Sequence, residues 1–197
     1  MADSLAPDAV KPLLRGRFGH AYRYAEVTPS TQRMLGIDET EGAVAVAEEQ
    51  TAGRGRLGRS WQAPAGTSVL VSVLLLPDVE PARLPELSLV AGRAVAEAIL
   101  EVTGVEPTIK FPNDVLIGGR KVAGILAESS EGRVVLGIGV NVNQTEEQLP
   151  SDAQTEPTSL RLELGEQVNR VQLLAAILLQ LERGYDDWIA TGTSASG

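Results

Sequence analysis

The sequence predicts an α/β (α+β) domain in which a mixed, partly antiparallel sheet is packed by helices. Apolar residues recur at helical spacing in residues 84–103 and 169–189, which predicts two long amphipathic helices. Short β-branched and aliphatic runs before and between them predict strands. Residues 115–128 read as a hairpin around Gly118-Gly119. A hairpin joins antiparallel strands, so a purely doubly wound sheet is not expected.

The strands are predicted from runs of β-branched and aliphatic residues. Residues 68–76 form the clearest buried strand because almost every position is apolar. Residues 53–58 are too rich in glycine for regular structure, and the polar, proline-containing residues 144–158 are predicted to be a loop. The other predicted strands span residues 21–27, 43–49, 108–110, 115–117, 121–128 and 134–142.

The helices are predicted from their spacing and from the residues at their N-termini. Residues 7–14 predict a short amphipathic helix near the start of the chain. Ser30 or Thr31 is expected to cap a helix after the first strand, and Asn169 is expected to cap the last helix. Each of these side chains can accept a hydrogen bond from a free backbone N–H group of the first turn.

Length and composition fit one folded domain. The chain has 197 residues, of which 43% are hydrophobic and 22% are charged. A chain of this size buries roughly 70% of the surface that its unfolded form exposes. We therefore expect one domain over residues 1–190, which begins with a helix and link at residues 1–18. A flexible tail is expected at residues 191–197 because they are small and polar.

Charge and residue types exclude several classes of protein. The chain has no cysteine and one histidine, His20, which excludes disulfide frameworks and thiolate sites and leaves histidine-based metal centres with little support. A net charge of −9 argues against general binding of nucleic acid. Neither a membrane-length apolar run nor a signal-peptide pattern is present in the sequence. We expect a cytoplasmic protein without membrane or nucleic-acid partners.

The arginine loop, residues 53–61 with the sequence GRGRLGRSW, is the most informative segment. Three arginines fall within six residues of an otherwise acidic chain. The glycines allow backbone N–H groups to face a ligand while the guanidinium groups supply charge, which suits a nucleoside triphosphate. The spacing matches neither the GxxxxGK phosphate loop nor GxGxxG before a helix. The alternative is an RGG-like flexible segment that contacts RNA. Segments of that kind usually occur several times in one chain, whereas this one occurs once.

A second group of polar residues is predicted where residues 110–114, KFPND, lead into the hairpin. Asn113 and Asp114 offer the oxygen ligands that Mg²⁺ prefers. Lys110 and Lys121 are compact cations suited to phosphate or carboxylate. These four groups converge if Lys110 ends one strand and Lys121 opens the return strand. Taken alone, Asn113-Asp114 would indicate a plain turn.

Two further motifs are informative only in combination with these. Residues 137–143, GIGVNVN, place glycines inside a predicted strand, which indicates close approach by a ligand or by another backbone. Asn141 would then be placed to bind a base or a sugar, and the alternative is a bulge in a core strand. Ser30 and Thr31 are equally consistent with an ordinary helix cap.

Taken in order, these motifs resemble the catalytic domain of a bacterial biotin protein ligase, or biotin–acetyl-CoA-carboxylase ligase. The resemblance spans roughly residues 21–189. It depends on the motifs at residues 30–31, 53–61, 110–114, 120–126 and 139–142. It implies the catalytic fold of the biotin and lipoate ligases, which is similar to class II aminoacyl-tRNA synthetases. Phe111 stands where this family usually has tryptophan, and Gln32 stands where asparagine is common.

The resemblance implies a two-step ligation with biotin as substrate, ATP as co-substrate and Mg²⁺. The biotin carboxylate attacks the α-phosphorus of ATP, which gives biotinyl-5′-AMP and pyrophosphate. A lysine amine of a biotin carboxyl carrier protein domain, in acetyl-CoA carboxylase or a related carboxylase, then displaces AMP. The enzyme must bring two anions together and stabilise the leaving pyrophosphate. Catalysis of this kind depends mainly on electrostatic stabilisation and on positioning of the reactants. The resemblance also allows a homodimer formed through an edge strand.

The resemblance also implies roles for individual residues. Biotin would be bound by Ser30, Thr31, Gln50, Gly53, Arg54, Arg56, Trp61, Lys121 and Gly124. ATP would be bound by Arg56, Arg59, Lys110, Asn113, Asp114, Lys121 and Asn141, and Mg²⁺ by Asn113 and Asp114. The catalytic residues would be Lys121, Asp114 and Arg56. Asp114 is also expected to orient or deprotonate the attacking lysine, whose amine has a pKa of about 10.4. The arginine loop is expected to be mobile when empty and ordered over the adenylate.

Two other functions remain open. Lipoate or octanoyl ligases share this architecture and acyl-transfer logic. A non-catalytic module would bind biotin or biotinyl-AMP without releasing pyrophosphate. The chain ends at Gly197, just after the last predicted helix, so we expect it to lack the SH3-like C-terminal domain of the family. We also expect it to lack the DNA-binding region of the bifunctional members and not to regulate transcription by itself.

Overall fold

The computed structural model describes residues 3–151 and 153–193. Over these two stretches, seven strands form one sheet in the order β1-β2-β3-β7-β6-β5-β4. The strands are β1 Tyr22–Thr28, β2 Val44–Gln50, β3 Ser68–Leu75, β4 Thr108–Lys110, β5 Asp114–Ile117, β6 Arg120–Ser130 and β7 Arg133–Asn141. β1 and β2 pair in parallel and the other neighbouring strands pair antiparallel, which confirms the predicted mixed sheet.

The two long helices pack against one face of this sheet. The helices are α1 Pro7–Val10, α2 Leu87–Thr103, α3 Leu160–Leu164 and α4 Arg170–Thr193. Apolar residues of α2, α4 and the strands form one core, in which Val95, Leu136 and Leu173 are fully buried. Burying side chains of this kind stabilises the fold by roughly 1.5–3 kcal/mol each. In the part of the chain that the structure describes, no helix is long and apolar enough to cross a membrane.

The start of α2 differs from the prediction. A 3₁₀ turn, Pro81–Glu86, comes first, and the α-helix begins at Leu87 and not at residue 84. Pro85 lies inside this turn and has no backbone N–H group to donate to the carbonyl four residues before it, which disfavours α-helical hydrogen bonding here. The helix ends at Thr103 as predicted.

The end of α4 also differs from the prediction. The helix continues to Thr193, past the predicted end at residue 189. The carbonyl of Trp188 accepts a hydrogen bond from the Arg83 guanidinium at 3.1 Å, which holds this end of α4 against the 3₁₀ turn that precedes α2. Residues 194–197, the rest of the predicted tail, lie outside the described residues.

The two predicted helix caps have different outcomes. Asn169 Oδ1 accepts a hydrogen bond from the backbone N–H of Gln172 at 2.9 Å, which confirms that cap. The cap at Ser30 or Thr31 is wrong, because the segment after β1 is a 3₁₀ turn, Thr31–Met34, without a side-chain cap. This turn crosses the face of the sheet opposite to α2 and α4, which we call the second face, and contacts β2, β3 and β7. Its polar groups therefore face the sheet and not its own first turn.

The second face of the sheet carries unusually small residues. Ser72 pairs with Gly137, and Gly139 pairs with Gly124, so these four positions lie on the same face of β3, β7 and β6. The alternate residues of β7 are buried in the core on the helix side. Small residues leave space above the sheet, and the functional cavity occupies that space.

Candidate active site

A cavity of about 570 Å³ lies over this small-residue face. Its walls are the arginine loop, the turn at residues 111–113, the 3₁₀ turn after β1, and a segment after β7, residues 153–158. Twelve predicted site residues line it: Ser30, Thr31, Gln50, Arg54, Arg56, Arg59, Trp61, Asn113, Asp114, Lys121, Gly124 and Asn141. Gly53 and Lys110 are the predicted site residues that are not part of the lining. The fold therefore brings together groups from segments that are far apart in the chain, from Ser30 to Asn141.

Two strand glycines allow the indole ring of Trp61 to lie against the sheet. A Cβ atom at Gly139 would lie 2.5 Å from the indole ring, and one at Gly124 would lie 2.9 Å from it. Real Cβ atoms do not approach this closely, so a side chain at either position would displace the tryptophan. The glycines inside the strand do mark a close neighbour, but this neighbour is a side chain and not the ligand or backbone that was predicted. Lys121 Nζ lies 5.7 Å from the centre of the same ring, within cation–π range.

Backbone hydrogen bonds close the arginine loop at its base. The N–H of Trp61 donates to the carbonyl of Gly53 at 2.9 Å, and the N–H of Gly55 donates to that of Arg59 at 2.7 Å. A Cβ atom at Gly53 would collide with the carbonyl oxygen of Trp61. Gly53 therefore permits the loop to close, which explains why it does not line the cavity.

The arginines of the loop contact three different parts of the site. Arg54 forms an ion pair with Glu128 of β6. Arg56 donates a hydrogen bond to Asn113 Oδ1 at 3.1 Å, which joins the loop to the turn at residues 111–113. Arg59 donates to Gln154 Oε1 at 2.9 Å. The loop thus spans the cavity and carries positive charge along it.

Lys121 and Asp114 form an ion pair at the cavity wall, with 2.7 Å between Nζ and Oδ1. The pairing of β5 with β6 shifts by one residue, so that Lys121 opposes Leu116 and not Ile117. A one-residue shift turns a side chain to the other face of a sheet. The shift therefore places Lys121 on the face that carries Asp114. Asn113, Asp114 and Lys121 line the cavity as predicted for the hairpin, but Lys110, the fourth predicted group, does not line it and binds Thr155 instead.

The 153–158 segment runs beside the first residues of β6. The N–H of Lys121 donates to the carbonyl of Glu156 at 2.7 Å, and the N–H of Thr158 donates to the carbonyl of Lys121 at 2.8 Å. Thr155 Oγ1 accepts a hydrogen bond from Lys110 Nζ at 3.2 Å. This segment therefore holds the backbone of one site lysine and the side chain of another.

Asn141 supports the 153–158 segment. Its Nδ2 donates to the carbonyl of Thr158 at 3.0 Å, and its Oδ1 accepts from Gln144 Nε2 at 3.0 Å. The residue lines the cavity but is only 5% exposed. Its amide therefore has protein partners on both sides, and the predicted contact with a nucleotide stays a prediction.

The buried polar end of the cavity is built from the 3₁₀ turn and β2. Gln50 Oε1 accepts hydrogen bonds from the backbone N–H of Thr31 at 2.8 Å and from its hydroxyl at 3.1 Å. The same hydroxyl lies 2.8 Å from Ser72 Oγ. Ser30 is also buried, at 2% exposed. These groups form a fixed set of hydrogen-bond donors and acceptors on the face of the sheet opposite to α2 and α4.

Several lining residues were not assigned a role by the sequence motifs. Gln32 donates to the carbonyl of Leu126 at 3.2 Å and packs against Gly137, where a Cβ would lie 3.2 Å from its side chain. The glycine at 137 is the sequence signal that indicates a close neighbour. Gln154 and Thr155 carry no such signal because they lie in an irregular segment.

The chain offers few ligands for a metal ion. Over residues 3–151 and 153–193, no group of three or more His, Asp or Glu side chains could hold one. Asn113 and Asp114 supply oxygens, although Arg56 binds the single side-chain oxygen of Asn113 and Lys121 binds one of the two carboxylate oxygens of Asp114. Mg²⁺ is usually bound by one or two carboxylates together with substrate phosphates. The two residues therefore fit an ion that arrives with a nucleotide, and they do not form a complete site.

Comparison with known proteins agrees with this geometry. The profile of the Biotin/lipoate A/B protein ligase family matches residues 24–144, which is more than half of the chain. The chain belongs to this family. The matched residues run from β1 to the end of β7, so they include the arginine loop, the β5–β6 hairpin and the glycines of β7.

Two named relatives align with a longer part of the chain than the family profile does. The bifunctional ligase/repressor BirA of Bacillus subtilis is 39% identical over 178 residues, which cover 86% of this chain and 55% of that protein. The biotin–acetyl-CoA-carboxylase ligase of Mycobacterium tuberculosis is 42% identical over 155 residues, which cover 76% of this chain and 56% of that protein. The chain thus spans about half the length of the curated relatives it matches.

Solved structures confirm the biotin/lipoate ligase catalytic fold. The biotin protein ligase from Aquifex aeolicus in complex with biotin and ATP matches with a TM-score of 0.79 at 33% identity, over 87% of this chain and 72% of that chain. The biotin protein ligase from Leishmania major in complex with biotinyl-5-AMP matches with a TM-score of 0.65 at 26% identity, over 82% of this chain and 73% of that chain.

Proposed function

We propose that this chain uses ATP to activate biotin to biotinyl-5′-AMP and transfers biotin to a lysine of a biotin carboxyl carrier protein domain. The observation that carries the proposal is the Lys121–Asp114 pair in a cavity lined by arginines, in a chain of net charge −9. The name of the M. tuberculosis relative and the biotin and ATP of the Aquifex structure support the same reaction. The unit responsible is the domain at residues 1–190.

The first step needs cations where two anions meet. Lys121 would bind the biotin carboxylate and then the adenylate phosphate, because its ammonium can leave Asp114 for a stronger anion. Arg56, Arg59 and Lys110 would bind the ATP phosphates. Lys110 lies outside the lining, but Thr155 holds its ammonium beside the 153–158 segment. Such fixed charges stabilise the leaving pyrophosphate without reorganisation.

Mg²⁺ would enter with ATP. Asn113 and Asp114 would contribute oxygens to it, in keeping with the small number of carboxylates that Mg²⁺ needs besides phosphate. When bound, the ion neutralises phosphate charge. The residues of the chain would meanwhile hold the phosphates in place through Arg56, which already contacts Asn113.

Biotin would lie along the polar and aromatic parts of the cavity. Ser30, Thr31 and Gln50 would hydrogen-bond its ureido ring. Ser30 and Thr31 are buried, and the Thr31 hydroxyl is held between Gln50 and Ser72. Trp61 and Gly124 would border its apolar ring. Arg54 and the backbone around Gly53 would lie along the aliphatic part of biotin. Water is excluded from such a site once the arginine loop covers it, which protects a mixed anhydride.

The second step needs a neutral lysine amine. The amine nitrogen forms a bond to the acyl carbon, the acyl–oxygen bond to phosphate breaks, and AMP leaves with the electron pair. A free lysine has a pKa of about 10.4, so a proton must be removed. Asp114 would accept or orient that proton once Lys121 has turned to the phosphate.

Pyrophosphate release tests the proposal directly. We expect release from ATP on addition of biotin, little with lipoate, and loss of the signal in Lys121→Ala. Lys11→Ala is the matched control because Lys11 is exposed in the 3₁₀ turn Lys11–Leu13. Release with lipoate instead of biotin would favour a lipoate-type ligase. A biotin-induced rise in melting temperature without any release would favour a binding module.

Assembly and location complete the proposal. We expect a cytoplasmic enzyme that does not bind nucleic acid, in keeping with its net charge of −9. β1 and β4 lie at the two edges of the sheet, and an unpaired strand edge is able to pair with a second copy. Light scattering with and without biotin and ATP would measure whether a homodimer forms.

A further inference from the structure

Glu163, in the short helix α3, binds two groups that flank the backbone of Lys121. Its Oε1 atom accepts a hydrogen bond from Thr158 Oγ1 at 2.5 Å and forms an ion pair with Arg120 Nη2 at 2.8 Å. Arg120 directly precedes Lys121 at the start of β6, and the N–H of Thr158 donates to the carbonyl of Lys121 at 2.8 Å. One carboxylate oxygen therefore joins the residue before this lysine to the residue that binds its carbonyl.

Helix α3 is fixed to the residues that follow β7, which gives Glu163 a firm base. The N–H of Arg161 donates to the carbonyl of Val142 at 2.8 Å. Ser159, the N-cap residue of α3, donates through its hydroxyl to the carbonyl of Gln144 at 2.8 Å. The side chain of Glu163 is 13% exposed, so water competes little for the hydrogen bonds that its oxygen accepts.

The position of Lys121 needs support from outside the sheet because β6 begins irregularly. The pairing of β5 with β6 shifts between Val115 and Leu116, and this shift places Lys121 beside Asp114. Such a shift disrupts the local pairing of the strands, so the sheet alone holds the backbone less firmly there. The contacts of α3 with the start of β6 supply the missing restraint.

We propose that Glu163 is a positioning residue for Lys121, which fixes the backbone of this lysine from both sides and so keeps its ammonium where the two anions of the first step meet. The inference rests on the proposed function. Glu163, Arg120 and Thr158 do not occur among the described residues that line the cavity. Glu163 therefore acts through Lys121 and not by contact with substrate. A displacement of about 1 Å in such a site is able to lower the rate roughly a hundredfold.

The acceptor oxygen of Glu163 matters more than its charge. The side chain of Arg120 is 41% exposed, and an ion pair with an exposed partner contributes little. The hydroxyl of Thr158 belongs to a fully buried residue and needs an acceptor, which the amide oxygen of glutamine also supplies. Glu163→Gln should therefore keep the function that Glu163→Ala loses.

The first test measures biotin-dependent pyrophosphate release, with kcat expressed per biotin-binding site counted by calorimetry. We expect kcat to fall about tenfold or more in Glu163→Ala and to stay within about threefold of the unchanged chain in Glu163→Gln. The KM for biotin should change less than kcat in both variants. Glu166→Ala is the matched control because Glu166 is exposed just after α3. Counting binding sites removes any loss that comes from unfolded protein.

Labelling with acetic anhydride tests the position of Lys121 without the reaction. Only a neutral amine attacks this reagent, and an opposite charge nearby favours the ammonium form. The lysines of the chain are Lys11, Lys110 and Lys121, so mass spectrometry gives the labelling of Lys121 relative to the exposed Lys11 in the same molecule. We expect this ratio to rise about threefold or more in Glu163→Ala and to stay near its original value in Glu163→Gln.

An unchanged labelling ratio in Glu163→Ala overturns the proposal, as does a loss of kcat that Glu163→Gln shares in full. An increase confined to Lys110, which Thr155 binds, would place the effect in the 153–158 segment and overturn it too. Where Glu163→Ala does not fold, Thr158→Val removes the same hydroxyl contact and is decided by the same ratio. If the unchanged chain releases no pyrophosphate, the proposed function fails, and the labelling ratio still decides whether Glu163 positions Lys121.

Discussion

Lys121 and Asp114 face each other across the β5–β6 hairpin because the pairing shifts by one residue between Val115 and Leu116. Their Nζ and Oδ1 atoms lie 2.7 Å apart. In an unshifted register Lys121 would oppose Ile117, whose side chain is buried in the core on the helix side. A bulge therefore creates the ion pair on which the proposed chemistry depends.

Asp114→Asn is expected to separate the two half-reactions. The amide keeps the shape of the side chain but does not accept a proton, and general base catalysis contributes roughly 10²–10⁴-fold. Transfer from preformed biotinyl-AMP should fall by about a hundredfold or more, while pyrophosphate release falls much less. Asp78→Asn is the matched control because Asp78 is exposed. Normal transfer in Asp114→Asn would refute the assigned role.

Gly139→Ala is expected to weaken biotin binding. The new Cβ would lie 2.5 Å from the Trp61 indole, so the ring must move out of its place in the cavity. Overpacking of this kind costs about 1–3 kcal/mol, and we expect the Kd for biotin, measured by calorimetry, to rise at least about tenfold. Gly36→Ala should leave binding intact because nothing lies within 4 Å of its added Cβ. Equal affinities would show that the tryptophan does not shape the biotin site.

Gln154→Ala is expected to raise the KM for ATP. Arg59 loses its hydrogen bond to Gln154 Oε1 at 2.9 Å and becomes free to move. Because the arginine loop is exposed, the effect should be modest, about three- to tenfold in KM with kcat little changed. Gln172→Ala, on the exposed side of α4, serves as control. A loss of kcat without a change in KM would contradict a positioning role.

Arg170→Ala is expected to destabilise the fold strongly. Its side chain is 1% exposed and forms ion pairs at 2.8 Å with Asp3 and Glu48. Removing it leaves these carboxylates unpaired, which costs about 3–5 kcal/mol. Arg17 also forms two ion pairs, with Asp186 and Glu182, but its own side chain is 43% exposed, so the cost of Arg17→Ala should stay near about 1 kcal/mol or below. Urea unfolding of both variants measures the contrast, and similar losses would show that burial is not the cause.

The Arg17–Asp186 pair is expected to respond to acid. The hydrogen bond from Arg17 lowers the pKa of Asp186 below its usual value of 3.8. Because the folded pKa is the lower one, the stabilisation is present above the unfolded value and is lost as pH falls through the folded pKa. Asp186→Asn should therefore be less stable than the unchanged chain near neutral pH, and the difference in urea unfolding should shrink below about pH 4. A difference that grows with acid would have the wrong sign.

Local sequence patterns were sufficient for much of the fold and for most of the site. The apolar run of β3, the spacing in α2 and the glycine pair of the hairpin each predict structure because they act between near neighbours. The arginine loop and the KFPND segment are contiguous, so their charge and backbone freedom are visible without a structure. The position of Gly139 inside a strand indicated a close neighbour, although it did not indicate that this neighbour is the side chain of Trp61.

Other features depend on contacts between segments that are distant in the chain. Arg59 and Gln154 are 95 residues apart, and nothing local to either predicts their hydrogen bond. The cap expected at Thr31 failed for the same reason, since Gln50 and Ser72 bind its hydroxyl instead. The register shift beside Leu116 decides which face Lys121 occupies. Such outcomes follow from packing and backbone pairing across the whole sheet, which a local pattern of residues does not encode.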